Sequence, residues 1–248
     1  MIEKLEDQRT GIIWSEKMIL LKIKMNLKLE IGEKALSKIE NTDPKFFAEL
    51  ILSAKKQLDS LWNTNIFRRI TNSKIKRWTC MDRKKSLPLG HIDLFCSPDL
   101  IFQIQNKWHL LRLDFLGERT NSFQDLEALT MVNWSMKNRN LPNLGKKFVV
   151  DVLKYNNGRW EHQKFTPSAE LLEQSKQLLE KDVKQMNNLV DKMGHMRNLS
   201  IIPLSNNHNY CNKCAFRNSC PAKTGLAKAK IEQILAECNY FKDRVYSD

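Results

Sequence analysis

Leu89-Gly90-His91-Ile92-Asp93-Leu94-Phe95, followed after polar spacers by Trp108-His109-Leu110-Leu111-Arg112-Leu113-Asp114-Phe115-Leu116-Gly117, is the stretch that decides the fold class. Two short apolar segments each carry a carboxylate, Asp93 and Asp114, near their ends. Ser97-Pro98-Asp99 and Gln105-Asn106-Lys107 between them have turn chemistry, so the stretch predicts an antiparallel strand pair or meander with its acids toward one end. Successive side chains of a strand point to opposite faces. Arg112, Asp114 and Leu116 therefore share one face, and Leu111, Leu113 and Phe115 the other.

Helical patterns lie on both sides of this stretch. Ile19, Leu20, Ile23, Leu27, Ile31 and Leu36 recur near helical spacing over residues 14–39, with a break expected at Gly32. Asp43-Pro44 pairs an N-cap residue with a proline at the first helical position, which starts a second helix running to about Leu61. Strands are predicted over residues 75–80, 89–95, 100–104 and 108–115. Asn121-Ser122 opens a helix through Met136. Asn156-Asn157-Gly158 then joins two strands, residues 147–155 and 159–165, because Asn-Gly between alternating runs is a strong hairpin signal. Ser168 begins a long amphipathic helix to about Met196, and another is expected over residues 226–241.

A chain of 248 residues with 42% hydrophobic and 28% charged residues supports a full core with a small added module. No run reaches the roughly 18 apolar residues of a membrane span, and the first thirty residues mix charges through their apolar positions. The expectation is a cytoplasmic protein with no membrane partner. Lysine and arginine number 41 against 28 acids, a net charge of +13. That excess favours a polyanion, most commonly nucleic acid. It is concentrated between Phe67 and Ser86, where Arg68, Arg69, Lys74, Lys76, Arg77, Arg83, Lys84 and Lys85 stand against Asp82 alone; Arg68, Arg69, Lys74, Lys76 and Arg77 are the expected phosphate contacts, and the competing reading is a solvated basic face.

Of six cysteines, three form Cys211-x2-Cys214-x5-Cys220, followed by Pro221. Three thiols in a short polar segment suit a soft metal or a cluster. A fourth ligand is required. His208 would favour zinc, whereas a distant cysteine, from Cys80, Cys238 or Cys96, would favour [4Fe-4S].

Taken in order, Gly90-His91-Ile92-Asp93, Leu110-Leu111-Arg112-Leu113-Asp114-Phe115, Gln124 early in a helix, and the Cys211, Cys214, Cys220-Pro221 segment resemble the PD-(D/E)XK nucleases of the RecB type. The similarity is greatest to the iron–sulfur branch, which includes AddB helicase–nuclease subunits and CRISPR adaptation nucleases, and it covers roughly Leu61 to Pro221. The resemblance implies an α/β (α+β), restriction-endonuclease-like core: a central mixed sheet flanked by helices, with a C-terminal cysteine cluster. Residues 1–205 would form that domain, with a helical region over 1–70, and residues 206–248 a cysteine-cluster segment and helix packed on the core.

The resemblance further implies that Asp93 and Asp114 bind Mg2+ or Mn2+ and that Gln124 is the glutamine following the Asp-x-Lys strand. Cys211, Cys214 and Cys220 would hold a [4Fe-4S] cluster with Cys80 as the fourth ligand, zinc being the alternative. Four departures accompany it. The lysine expected two residues after the second acid is Leu116, and an aliphatic chain neither orients water nor stabilises negative charge. Gly32 to Ser37 holds no histidine, no cysteine precedes Cys80, and Ala128 stands where an aromatic is expected. Arg112, on the face of Asp114, and Arg119 are the candidates for a relocated basic group.

The sequence therefore predicts a DNA-binding, nucleic-acid-processing protein with catalysis weakened or lost. Its expected partners are DNA and a helicase or other subunit of a nuclease complex. Two alternatives stand beside it. One is an active metal-dependent DNA exonuclease or endonuclease of recombination, repair or CRISPR adaptation; the other is a zinc-stabilised module for protein interaction.

Overall fold

The computed structural model describes residues 1–82, 84–89, 92–115 and 121–196. It is a mixed α/β structure in which a five-stranded mixed sheet is flanked by helices. Residues 1–176 and 177–248 form two compact units, and the described part of the second is the continuation of a long helix to Met196.

Five helices come first: α1 (Ile2–Arg9), α2 (Glu16–Ile31), α3 (Glu33–Thr42), α4 (Pro44–Trp62) and α5 (Asn65–Thr71). The Ser15 hydroxyl accepts from the Met18 N–H at the start of α2. Gly32 ends that helix at φ 84°, ψ 149°, a backbone region that strains a side chain, so one glycine stops α2 and starts α3. Asp43 caps α4 by accepting from the Phe46 N–H at 3.0 Å, with Pro44 at the first helical position. These three boundaries follow the sequence expectation. The short helices α1 and α5 do not emerge from periodicity because neither spans enough turns to show a repeat.

The strands are β1 (Trp78–Cys80), β2 (Leu87–Leu89), β3 (Ile92–Leu94), β4 (Leu100–Ile104), β5 (Lys107–Asp114), β6 (Phe148–Asn156) and β7 (Arg159–Phe165). The large sheet runs β1-β4-β5-β6-β7, antiparallel except for the parallel β5–β6 pair. Helix α6 (Asn121–Lys137) occupies the crossover between those two strands, and a 3-10 turn at Gly145–Lys147 leads into β6. Asn157 and Gly158 take φ of 48° and 82°, as the expected Asn-Gly hairpin requires. Helix α7 (Ala169–Met196) then begins with the Ser168 hydroxyl accepting from the Leu171 N–H.

Two strand expectations are corrected. Residues 75–77 are not strand; Ile75 is buried in the core while its N–H donates to the Arg69 carbonyl. The described residues of the strand expected over 89–95 do not join the meander either. Ile92–Leu94 pairs with Leu87–Leu89 in a separate two-stranded sheet. Pro98 has no N–H to continue a ladder, and it is Leu100–Ile104 that lies against β5.

The large sheet separates two apolar clusters. On one face Leu100, Phe102, Leu111, Leu113 and Leu153 pack with Leu5, Leu61, Phe67 and Ile70 of the N-terminal helices. On the other, Ile101, Leu110, Phe148, Val150 and Val152 pack with Ala128, Leu129 and Val132 of α6 and with Leu172. Trp160 joins β7 to α4 by donating its indole N–H to the Gln57 carbonyl and the Ser60 hydroxyl.

Candidate functional site

The alternation of β5 sets the site. Leu111 and Leu113 face the N-terminal helices, and Phe115 continues that face with an edge-on contact to Trp160 at 5.2 Å. Leu110 faces α6, so Arg112 and Asp114 lie on the α6 side as the sequence predicts. Both are buried, at 8% and 6% exposure. Asp114 is the last residue of β5, at the carboxyl end of the parallel β5–β6 pair, the end at which open α/β sheets collect ligands.

The acid placed against this strand in sequence-distant contact is Asp99. It is 2% exposed, its N–H donates to the Leu111 carbonyl at 2.8 Å, and its Oδ2 accepts from the Leu113 N–H at 2.8 Å. Its Oδ1 stands 3.6 Å from Arg112 Nη1. Arg112 Nε in turn lies 2.9 Å from Glu127 Oε1 on α6 as an ion pair, and Nη2 approaches the Cys96 sulfur at 3.9 Å. One guanidinium thus bridges the carboxylate that immediately precedes β4 and a carboxylate of α6 beneath the sheet. Burial of that kind is tolerated only while the charges remain paired.

Asp93, by contrast, is an exposed residue of β3, paired opposite Pro88 in the two-stranded sheet. The structure brings Asp99, Arg112, Asp114 and Glu127 to one side of the large sheet and places Asp93 on a different sheet. In the sequence, the turn chemistry of Ser97-Pro98-Asp99 hides this acid. The signal that would have found it is a Pro-Asp pair directly before an apolar strand, with a second acid ending the next strand. Gln124 is on the first turn of α6, and its side chain lies outside the described residues, as do Leu116 and Arg119.

The opposite face carries a second polar cluster. Asp151, 1% exposed, stands 2.6 Å from His109 Nδ1 and 2.7 Å from His162 Nε2, and the His109 ring stacks on Phe102 at 5.0 Å. Burial alone pushes this carboxyl up, but the two imidazole contacts outweigh it and hold it below the ordinary aspartate value.

Of the basic residues, Arg68 and Arg69 end α5, and Lys74, Lys76 and Arg77 occupy the segment leading to β1. Four of the five are exposed and Arg69 is half-buried. Arg77 Nη1 donates to Gln103 Oε1 at 3.4 Å, and among the described residues none of the five is held in an ion pair.

Cys80 on β1 is half-buried against the N-terminal cluster, and burial is the first of the influences that push its thiol up to about 11. Its surroundings therefore favour the protonated thiol, and service as a ligand would need a nearby positive centre to reverse that preference. The Cys96 sulfur lies 3.7 Å from the Glu127 carbonyl. Cys211, Cys214, Cys220 and the helix expected over residues 226–241 lie outside the described residues. Among the described residues no three His, Cys, Asp or Glu side chains are gathered to hold a metal ion, and no helix is long and apolar enough to cross a membrane.

No protein-family model and no curated protein matches the chain. A solved structure, "Crystal structure of SSO0001", is similar to it with 13% identity, over 90% of this chain and 94% of that one, at a TM-score of 0.32. A superposition that loose says nothing of function.

Proposed function

We propose that this chain is a nucleic-acid-binding protein on a RecB-like PD-(D/E)XK scaffold, with hydrolysis weakened by Leu116 in place of a lysine. The observation that carries the binding part is the basic segment from Arg68 to Arg77, whose cations are not neutralised by ion pairs among the described residues. Cations left open to solvent suit phosphates, and each phosphate contact releases counterions. The mixed sheet flanked by helices is the architecture that the resemblance implies, and the acid-ended β5 supports it.

A second reading, an active metal-dependent deoxyribonuclease, is favoured by the convergence of Asp99 and Asp114 on one side of the sheet. Mg2+ is commonly held by one or two carboxylates, waters and substrate phosphate rather than a closed protein cage, so two acids suffice for Mg2+ or Mn2+. Asp114 would be one ligand, with Asp99 or Asp93 as the other; bound metal would supply charge neutralisation at the phosphate. The cysteine segment would carry [4Fe-4S] or zinc, and a helicase or other nuclease subunit would be the protein partner.

Binding of the full chain to single- and double-stranded DNA across a salt series tests the first reading. Affinity that falls steeply with salt is expected, and affinity that is absent or indifferent to salt sinks it in favour of a protein-interaction module. Digestion with Mn2+, using Asp93→Ala, Asp99→Ala and Asp114→Ala, tests the second. Cleavage lost in Asp114→Ala and in one other variant supports an active site, and the identity of that other variant assigns the first acid. A brown protein with iron indicates a cluster, whereas a colourless one with stoichiometric zinc excludes it.

A further inference from the structure

We infer that Lys154 supplies, from the strand beside β5, the positive charge that Leu116, two residues after Asp114 in the sequence, cannot supply. The inference rests on the nuclease reading of the Asp99–Asp114 face and identifies one further residue of that site. Asp114 and Lys154 are direct register partners at the last rung of the parallel β5–β6 pair. Adjacent strands run about 4.8 Å apart, so the lysine stem easily spans the distance to a group held by the carboxylate.

The face is fixed on both strands. Val150 and Val152 of β6 pack with Leu110 of β5 and with Ala128, Leu129 and Val132 of α6. Counting on by twos puts Lys154 on the α6 side of β6, the side that Asp114 takes on β5. Its position is half-buried, following the buried Val152 and Leu153 at the carboxyl end of the strand pair. A charge at that place has access to solvent and to a bound phosphate.

The other basic candidate on this face, Arg112, lies deeper. Arg112 is drawn inward, held between Asp99 and Glu127. It pairs with those two carboxylates beneath the sheet, whereas Lys154 stands at the last rung of the strand pair, beside Asp114. The register itself explains why sequence reading looked past it: Asp114 and Lys154 are forty positions apart, and only the parallel pairing makes them neighbours.

Hydrolysis of a phosphodiester forms a bond from a water oxygen to phosphorus and breaks the bond to one ester oxygen. The departing oxygen ends as an alcohol with a proton that originated in the water, leaving a phosphomonoester. Negative charge grows on the phosphoryl and leaving oxygens during that exchange. The Lys154 ammonium group, a compact charge with three rotatable donors, stabilises those oxygens.

The test uses the full chain with Mn2+ and a short single-stranded oligonucleotide, comparing Lys154→Met, Lys154→Gln, Lys154→Arg and, as a surface control on β7, Lys164→Met. Cleavage is expected to fall about 100-fold in Lys154→Met and Lys154→Gln, to be partly restored in Lys154→Arg, and to be unchanged in Lys164→Met. Mn2+ affinity, read by titration of the free-ion resonance without DNA, is expected to rise about threefold in Lys154→Met because a like charge has been removed. Cleavage retained in both neutral variants overturns the proposal, as does a loss in Lys154→Arg equal to theirs or Mn2+ binding that collapses together with cleavage. A wild-type chain that cuts DNA with neither Mg2+ nor Mn2+ also overturns it, while salt-dependent DNA binding in the same preparation leaves the nucleic-acid-binding reading standing.

Discussion

Asp151 is an ionised carboxylate almost without solvent, and it defines the chemistry of its two neighbours. A carboxylate only accepts, so His109 must carry its proton on Nδ1 and His162 on Nε2. Because the folded-state pKa is lowered, the associated stability is complete above the ordinary aspartate value, about 3.9, and is lost as pH falls through the lower folded value. Asp151→Asn is expected to cost about 2 kcal/mol near neutrality, and the gap from the parent should narrow below pH ~4. Urea unfolding at a series of pH values checks this; a gap of constant size would contradict it. At Arg112 the expected cost is larger. Arg112→Leu leaves the Asp99 and Glu127 carboxylates facing each other without a cation, and should lower unfolding free energy by about 3–5 kcal/mol.

Among the elements, the helix boundaries rest on single side chains. Asp43→Ala removes the acceptor of the Phe46 N–H and should cost about 1 kcal/mol, seen as a lower melting temperature with an unchanged fold. Gly145 serves a different purpose. A Cβ there would run into Leu172 Cδ1 well inside contact distance, and Leu172 is buried, so Gly145→Val should force the turn off α7 at a cost of about 1–3 kcal/mol. Features of this local kind were legible in the sequence: Gly32, Asp43-Pro44, Asn157-Gly158 and the Ser168 start all depend on residues within a turn of one another. The alternation of Arg112 and Asp114 was legible for the same reason. Partner choice was not. Whether residues 92–95 or 100–104 lie against β5 is decided by register over the whole sheet, so local pattern favours Asp93 as the sheet acid and conceals Asp99 in a turn signal. Lys154 likewise becomes a neighbour of Asp114 only through the crossover.

For the whole molecule, the basic segment makes the most direct prediction. Replacing Lys76 and Arg77 together by Glu should weaken DNA binding about equally for unrelated sequences and flatten the plot of log affinity against log salt by about two, one for each lost phosphate contact. Filter binding or fluorescence anisotropy between low and moderate salt reads this slope, and an unchanged slope would move the phosphate track elsewhere on the surface. Net charge was legible because it needs no structure. The unpaired state of these cations needed the fold, which puts the described acidic partners elsewhere. The parallel β5–β6 pair has one more consequence, for the growing chain on the ribosome. Synthesis delivers β5 well before β6, with all of α6 between them, so for a time β5 is an open sheet edge. Such edges invite pairing with other chains, and charged side chains are a common deterrent. The charges of Arg112 and Asp114 oppose such pairing while β5 waits for β6, and replacing both with apolar residues would be felt first as aggregation of nascent protein.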